Sequence, residues 1–298
     1  MTELLTSLFK ITVLIFMAGN LIDLGLRLNL QAALSGLRNV RFVTVSLLWG
    51  FVVFPALAYA LTLVVPLTPP YAMGLILLAL VPCAPFLPMM AERAHGDMDY
   101  VATFMLLVSA VTVVYMPLVV PIMVTGLTVT AWTVAKPMLV LVLIPLVIGV
   151  AIQSWSPSRA SFLQPIVKKV TGVDTLVMLA LILIIYGKGF VSAVGTYAIG
   201  MQVVFFTLLA FAPYLVGFGL PQHHKSVVAL GMCTRNVGAA MAPLYVAAGV
   251  DPNATVMVAL GIPMQAIFSL AASRVFGSLA AKSVGGGETA REKAEAGR

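Results

Sequence analysis

Residues 74–96 read GLILLALVPCAPFLPMMAERAHG, an apolar block long enough to cross a membrane but interrupted by three prolines. Pro82, Pro85 and Pro88 each remove a backbone amide donor, and each ring clashes with the preceding helical turn. In lipid the freed carbonyl groups need partners, so such backbone must be buried in protein or line a wet cavity. The block therefore predicts a membrane helix that is broken near its middle.

A second block, residues 227–249, reads VVALGMCTRNVGAAMAPLYVAAG and has a weak, polar centre at residues 231–238. Both blocks contain Ala-Leu-x-x-Cys, which ends at Cys83 in the first block and at Cys233 in the second. Paired interrupted spans in corresponding halves of a chain are typical of transporters built from inverted repeats, with the binding site between the two breaks. The alternative is that proline and glycine merely kink two packed helices.

The composition indicates that much of this chain is surrounded by lipid. Of 298 residues, 61% are hydrophobic and 9% are charged, against about 25% charged in a soluble domain. The net charge of +7 does not indicate a nucleic-acid-binding face, because the basic residues lie in short breaks between apolar blocks, as in oriented membrane proteins. The two cysteines form no CxxC pattern, and we expect no metal site and no cofactor.

Nine apolar blocks of about 20 or more residues predict nine transmembrane helices. They lie at about residues 5–26, 42–65, 71–94, 98–125, 133–154, 170–190, 196–219, 224–248 and 253–280. Residues 1–284 are then a single transmembrane unit, and its third and eighth spans, at about 71–94 and 224–248, are the broken ones. Residues 285–298 are predicted to be a polar cytoplasmic tail.

Lysine and arginine are concentrated in the loops after the first, third, fifth, seventh and ninth blocks. The positive-inside rule therefore places the C-terminus in the cytoplasm and the N-terminus outside. The first block has no basic leading region and no cleavage site, which favours a first span over a signal peptide. We predict a multi-pass protein of the bacterial inner membrane.

Arg235 lies in the middle of the second broken block. An arginine at mid-membrane costs about 2.5 kcal/mol or more on insertion scales, so it needs a partner or a wet cavity. Its guanidinium matches a carboxylate, sulfonate or phosphate through two parallel hydrogen bonds, which predicts an anion-binding site. The alternative is a structural ion pair with an acid of the third or fourth span. The predicted substrate-binding residues are Arg235, Thr234, Asn236, Pro82, Cys83, Pro85, Pro88 and Cys233.

Glu92, His95 and Asp97 cluster where the first broken block ends. A solvated cytoplasmic turn explains most of this cluster, and a gate or proton relay is the alternative, since such groups titrate near neutral pH when partly buried. Asp23 and Arg27, four residues apart, are expected to pair on one helix face. Because there is no HExxH motif, no pair of intramembrane aspartates and no Cys–His neighbour, we predict that the chain is not an enzyme.

The two broken blocks resemble those of the bile acid:sodium symporter family, in the form found in a divergent prokaryotic branch. The resemblance covers nearly the whole chain and is carried by three stretches, namely IFMAG at residues 15–19, VPCAPFLP at residues 81–88 with the following Gly96-Asp97, and GMCTRNVGAA at residues 231–240. It implies a nine-helix, all-α fold with inverted repeats, two crossing discontinuous helices, a core domain and a panel domain.

The residues that bind sodium in that family are largely replaced here. The positions that the resemblance assigns to polar sodium ligands hold Gly50, Leu87, Pro88, Val101, Met105, Ala229 and Cys233. A hard cation needs several oxygen ligands, and aliphatic side chains supply none. The known sodium sites therefore do not carry over to this chain, although backbone carbonyl groups at the crossing are still available to a cation.

Together these features predict a secondary active transporter of a small organic anion or amphipath that works by alternating access. A proton-coupled or uncoupled carrier is one alternative, and a membrane protein that binds its ligand without transporting it is another. The predicted partners are the anionic or amphipathic small molecule and the lipid bilayer, with no nucleic acid.

Overall fold

The computed structural model describes residues 2–124, 126–127 and 129–296, with side chains described inside residues 4–282 of these ranges. Throughout them the regular structure is helical, and the single β-type feature is one isolated bridge. The helices are α1 (Thr2–Arg27), α2 (Leu30–Gly36), α3 (Val40–Leu48), α4 (Phe54–Val64), α5 (Pro69–Ala79), α6 (Leu87–Arg93), α7 (Met98–Met123), α8 (Ala131–Met138), α9 (Ile144–Trp155), α10 (Pro157–Ser192), α11 (Ala198–Leu215), α12 (Gln222–Cys233), α13 (Val237–Val246) and α14 (Pro252–Ala296).

Seven segments of the described chain are long and apolar enough to cross a membrane. They are Leu4–Arg27, Val40–Val64, Met98–Met123, Ala131–Trp155, Pro157–Ser192, Ala198–Leu215 and Pro252–Lys282. They confirm the prediction of an all-α, multi-pass membrane protein. The count of nine spans also requires α5–α6 and α12–α13 to be one span each, and it stays a prediction. The predicted polar tail, residues 285–298, lies beyond the described side chains.

Two of the seven segments stay continuous because a wide helical turn accommodates a proline. The π-helical turns Trp49–Val53 and Leu139–Leu143 join α3 to α4 and α8 to α9, and Pro55 and Pro145 stand at the second residue of the helix that follows. A wide turn leaves room for the pyrrolidine ring where a regular turn does not. Pro55 and Pro145 therefore do not break these spans, unlike the three prolines in residues 74–96.

α10 begins well before the sixth predicted span, which was placed at residues 170–190. Pro157 is its first residue, a position where the fixed backbone angle of proline suits helix formation. The prediction follows hydrophobicity, and Ser158, Arg159, Ser161, Gln164 and Lys168 interrupt the apolar residues between Pro157 and Lys169. Polar side chains do not prevent a helix, so the loop predicted there is wrong.

α1 packs mainly against α9 and α10, and we call these three helices the panel unit. Two glycines bring α1 and α9 into backbone contact. A Cβ added at Gly149 would lie 2.5 Å from the carbonyl oxygen of Ile22, and one added at Gly25 would lie 2.6 Å from that of Leu146. Small residues allow membrane helices to approach this closely, which makes the panel unit compact. The core unit consists of α3–α7 and α11–α14, and it contains both broken segments.

A methyl group at Gly149 should loosen the panel unit. We expect Gly149→Ala to lower the free energy of unfolding by about 1–3 kcal/mol, because the added carbon overlaps backbone atoms of α1. Gly187→Ala is the matched control, since no atom lies within 4 Å of a Cβ at that position. Thermal unfolding of the two purified variants in the same detergent measures the difference. Equal melting temperatures would contradict the close approach of α1 and α9.

Candidate functional site

Both predicted breaks are present, and they lie against each other. α5 ends at Ala79 and α6 begins at Leu87, while α12 ends at Cys233 and α13 begins at Val237. The extended residues between the two pairs of helices meet in an antiparallel bridge between Pro82 and Arg235. This confirms a crossing pair of discontinuous helices in the middle of the core unit.

The backbone groups freed by one break are satisfied by the other. The amide of Asn236 donates to the carbonyl oxygen of Val81 at 3.0 Å. The amide of Cys83 donates to the carbonyl oxygen of Thr234 at 2.7 Å. Cys83 has a φ of 71°, a left-handed conformation that is strained for residues other than glycine, asparagine and aspartate. The crossing therefore provides the partners that lipid does not, and it holds one residue in a strained conformation to do so.

Two of the polar side chains predicted to bind substrate are hydrogen-bonded to the local backbone. The hydroxyl of Thr234 donates to the carbonyl oxygen of Leu230 at 3.0 Å. The side-chain oxygen of Asn236 accepts from the amide of Ala239 at 3.1 Å and so caps the first turn of α13. These bonds close the ends of the two half-helices that meet at the crossing.

Arg235 is the largest fully buried side chain among the described residues, with none of its surface exposed. Its backbone amide donates to the side-chain oxygen of Gln265 at 2.6 Å. Its Nη1 donates to the carbonyl oxygen of Ala79, the last residue of α5, at 3.3 Å. The guanidinium carbon lies 5.6 Å from the ring centre of Phe54 and 5.8 Å from that of Phe205, a distance at which aromatic faces attract cations.

Half of the guanidinium is left without a partner. In the described part of the chain, Nε and Nη2 of Arg235 are buried and form no hydrogen bond, and no carboxylate there lies within salt-bridge distance of them. The predicted alternative, an ion pair with an acid of the third or fourth span, is therefore absent from these residues. Nε and Nη2 form one edge of the planar fork that binds a carboxylate or sulfonate through two parallel bonds.

Two adjoining cavities lie between the broken segments and the panel unit. The first, the polar cavity, has a volume of about 450 Å³, and the second, the apolar cavity, about 390 Å³. The polar cavity is lined by Asn20, Asp23, Arg27, Pro85, Phe86, Pro88, Met89, Glu92, Met98, Lys168, Thr171, Gly172 and Thr175. The apolar cavity is lined by Phe16, Phe86, Met89, Met90, Arg93, Thr175, Met178, Leu179, Val237, Ile262, Gln265, Ala266, Ser269 and Leu270. Phe86, Met89 and Thr175 belong to both linings.

The predicted substrate-binding residues divide into two groups. Pro85 and Pro88 line the polar cavity. The linings of the two cavities do not include Pro82, Cys83, Cys233, Thr234, Arg235 and Asn236, which are the crossing itself. The apolar cavity nevertheless reaches Val237 and Gln265, and Gln265 bonds to the backbone amide of Arg235. The sequence signal that was missed is Gln265, an amide side chain inside an apolar span.

The predicted gating residues lie in three different settings. Glu92 lines the polar cavity, and His95 is exposed with a φ of 51°. Asp97 caps α7, since its side-chain oxygen accepts from the amides of Asp99 and Tyr100. A turn at the end of a helix therefore accounts for Asp97, and Glu92 is the member of the cluster at the cavity.

The panel unit contributes buried acids to this region. Asp23 pairs with Arg27, as predicted, and also accepts from the side-chain amide of Gln164 at 2.7 Å. Asp174 in α10 is buried, and its Oδ2 has no hydrogen-bond partner in the described chain. Asp174 is therefore, like Arg235, a buried ionisable residue with an unpaired polar atom, and it belongs to neither cavity lining.

The positions that the sequence resemblance assigns to sodium ligands are packed with apolar groups. Leu87 and Ala229 are fully buried, and Val101 and Met105 are nearly so. At Gly50 an added Cβ would lie 3.3 Å from Cγ of Pro82 and 3.2 Å from Cε of Met232. A methyl group at residue 50 would therefore require the side chains of Pro82 and Met232 to shift slightly.

Comparison with known proteins identifies a family. A family model described as the Sodium Bile acid symporter family matches residues 12–194, which is more than half of the chain and includes the first broken segment. No curated protein matches the chain significantly.

Removing the cap of α13 should destabilise the crossing. We expect Asn236→Ala to lower the free energy of unfolding by about 1 kcal/mol, because the amide of Ala239 loses its acceptor. Asn236→Ser retains a capping oxygen and is the matched control. Thermal unfolding in detergent measures both variants. An alanine variant as stable as the serine variant would show that the cap contributes nothing.

Proposed function

The chain belongs to the sodium bile acid symporter family, and on that premise we propose that it carries a small organic anion or amphipath across the membrane by alternating access. The family is one of transporters rather than enzymes. The observation that carries the proposal is the pair of cavities between the core unit and the panel unit. We call this interface the seam. We place the protein in the bacterial inner membrane, with its C-terminus in the cytoplasm.

The architecture supports a rocking movement of two units. The panel unit is held together by backbone contact between α1 and α9, and the core unit by the paired breaks. Both cavities lie at the seam between the two units, lined by side chains from each. A movement at this seam changes access to the cavities without breaking either unit, as alternating access requires.

The linings of the cavities suit an amphipathic anion. Arg27 and Lys168 line the polar cavity and Arg93 lines the apolar one. Asp23 is already paired with Arg27, which leaves Glu92 as the unpaired acid of the polar lining. The apolar part of such a molecule fits between the aromatic and methionine side chains of the apolar cavity. The basic side chains of the two linings attract its acidic group.

Arg235 is the residue that binds the acidic group of the substrate in this proposal, because its Nε and Nη2 have no other hydrogen-bond partner in the described chain. A buried guanidinium without an acidic partner is costly in a low-dielectric interior, and a bound carboxylate or sulfonate would remove most of that cost. Arg235 is enclosed in the present conformation, and the apolar cavity ends at the neighbouring Gln265 and Val237. Substrate binding at Arg235 therefore needs these two side chains to move, together with the panel unit.

Sodium coupling of the family's known type is not part of the proposal. The side chains at the replaced positions offer no oxygen, and their tight packing leaves no space for a hydrated ion beside Leu87 or Ala229.

A proton-coupled carrier is the second candidate, and Asp174 favours it. The carboxylate is buried in the panel unit with an oxygen that lacks a partner. Such a group is costly when charged and much less so when protonated, so Asp174 would exchange a proton when movement of the panel unit exposes it to water.

Arg235→Met should abolish transport and leave the protein folded. Methionine fills most of the space of the arginine and removes a buried charge that has no acidic partner, so stability should be unchanged or higher. A thermal-shift screen of organic anions, headed by taurocholate, first selects the anion that stabilises the wild-type protein most. Uptake of that anion into proteoliposomes should fall by at least about 100-fold in the variant, as expected for loss of a charge-assisted pair.

Arg274→Met, the same change at an exposed arginine of α14, is the matched control and should transport normally. Normal uptake by Arg235→Met would show that the guanidinium is structural. Anion binding without uptake by the wild-type protein would instead support the ligand-binding alternative.

Asp174→Asn should abolish accumulation driven by a proton gradient. With choline in place of sodium, a pH gradient should drive the wild-type protein to accumulate the selected anion. The variant should only equilibrate it, because asparagine cannot exchange a proton. Asp251→Asn, at an exposed loop aspartate, is the control. Accumulation that requires sodium, or that persists in Asp174→Asn, would rule out this coupling.

A further inference from the structure

Two neighbouring histidines and one carboxylate that is far from them in sequence lie together at one end of the core unit. Asp97 precedes α7, and His223 and His224 lie in the first turn of α12. Their ligand atoms, one from each side chain, all lie within 4.8 Å of one another. Nε2 of His224 lies 3.8 Å from Oδ2 of Asp97, and the two imidazole rings are 4.4 Å apart between centres.

The surrounding structure orients two of the three side chains. Oδ1 of Asp97 is used by the cap of α7, which fixes the carboxylate and leaves Oδ2 facing His224. The ring of His224 lies against the ring of Tyr100, with 3.6 Å between centres, and contacts Phe42 at its edge. His224 is only 7% exposed, and its Nδ1 is buried without a hydrogen-bond partner in the described chain. His223 is exposed.

We propose that Asp97, His223 and His224 bind one divalent transition-metal ion, of which Zn²⁺ is the type. Two imidazoles and one carboxylate form a donor set that zinc prefers, and solvent next to His223 supplies the fourth ligand. Calcium and magnesium need more oxygen ligands than this cluster offers. A tetrahedral zinc site has its ligand atoms about 3.4 Å apart, so rotation of the exposed His223 is the main adjustment.

A shared metal ion explains the geometry of the three side chains better than a simple ion pair between Asp97 and His224 does. The 3.8 Å between Nε2 and Oδ2 is longer than a hydrogen bond. A pair would also leave His223 without a role, although its ring lies against that of His224. A shared ion accounts for the convergence of all three side chains.

The ion would connect the two broken segments at the ends that lie away from the crossing. Asp97 lies in the turn that follows α6, and His223 and His224 begin α12, the first half of the second broken segment. Both turns therefore lie on the same side of the membrane, which the distribution of basic residues predicts to be the cytoplasm. Bound metal would strengthen the core unit at this end, independently of any transported substrate.

The site is tested by titrating Zn²⁺ into the full-length protein, purified without a histidine tag and freed of metal with a chelator. We expect one ion per chain by calorimetry, and a rise in melting temperature with added Zn²⁺ because the ion binds the folded state. His223→Ala and Asp97→Asn should each weaken Zn²⁺ binding by about 100-fold. Loss of a residue that only hydrogen-bonds to a metal ligand already weakens metal binding by about 10- to 100-fold, and loss of the ligand itself should cost at least as much. Asparagine still caps a helix, so Asp97→Asn should fold normally.

His95→Asn is the matched control, because it removes the third histidine of the chain and asparagine tolerates the left-handed conformation found there. Its Zn²⁺ affinity should equal that of the wild-type protein. The proposal is overturned if the wild-type protein binds no Zn²⁺, or if His223→Ala and Asp97→Asn bind it as tightly as His95→Asn does. Both ligand variants should match the wild-type melting temperature without metal, which separates loss of the site from loss of the fold.

Discussion

A backbone amide or carbonyl that leaves its helix in the middle of a bilayer finds no water to bond with, and the rest of this structure depends on how that problem is solved. The break after Ala79 and the break after Cys233 face each other, and the amides of Cys83 and Asn236 bond across the gap. Either break alone would expose unpaired polar groups to lipid. The two interruptions are therefore stable only as a pair, which fixes the position of α5–α6 against α12–α13.

The crossing also determines where charge can be placed. Two half-helices, α5 and α12, end there with carbonyl groups that need donors from outside their own helix and with the negative ends of their dipoles. The guanidinium of Arg235 donates to the carbonyl of Ala79 and is flanked by two aromatic rings. These contacts hold a positive charge inside the core unit without an acidic partner in the described chain. The same arrangement that stabilises the broken backbone thus leaves one edge of the guanidinium without a hydrogen-bond partner in the described chain.

The panel unit provides the other wall of the cavities, and its construction differs from that of the core unit. Gly25 and Gly149 allow α1 and α9 to touch backbone to backbone, whereas the core unit is closed by hydrogen bonds between interrupted helices. The seam between the units is occupied by side chains and two cavities rather than by backbone bonds. A seam of this kind can open and close while each unit keeps its internal contacts, because side-chain packing is re-formed more easily than backbone pairing.

The sequence alone determined the fold class, the two breaks and the likeness to a transporter family, because hydrophobic length and proline spacing act locally, within one helix. It also predicted the pair of Asp23 and Arg27, which lie one turn apart. Only the tertiary structure decided that Arg235 is enclosed, that Thr234 and Asn236 serve the backbone, and that Gln265 and Thr175 line the cavities. It alone brought Asp97 to His223 and His224. These facts depend on which faces of distant helices meet, and a sequence read one helix at a time carries no record of that.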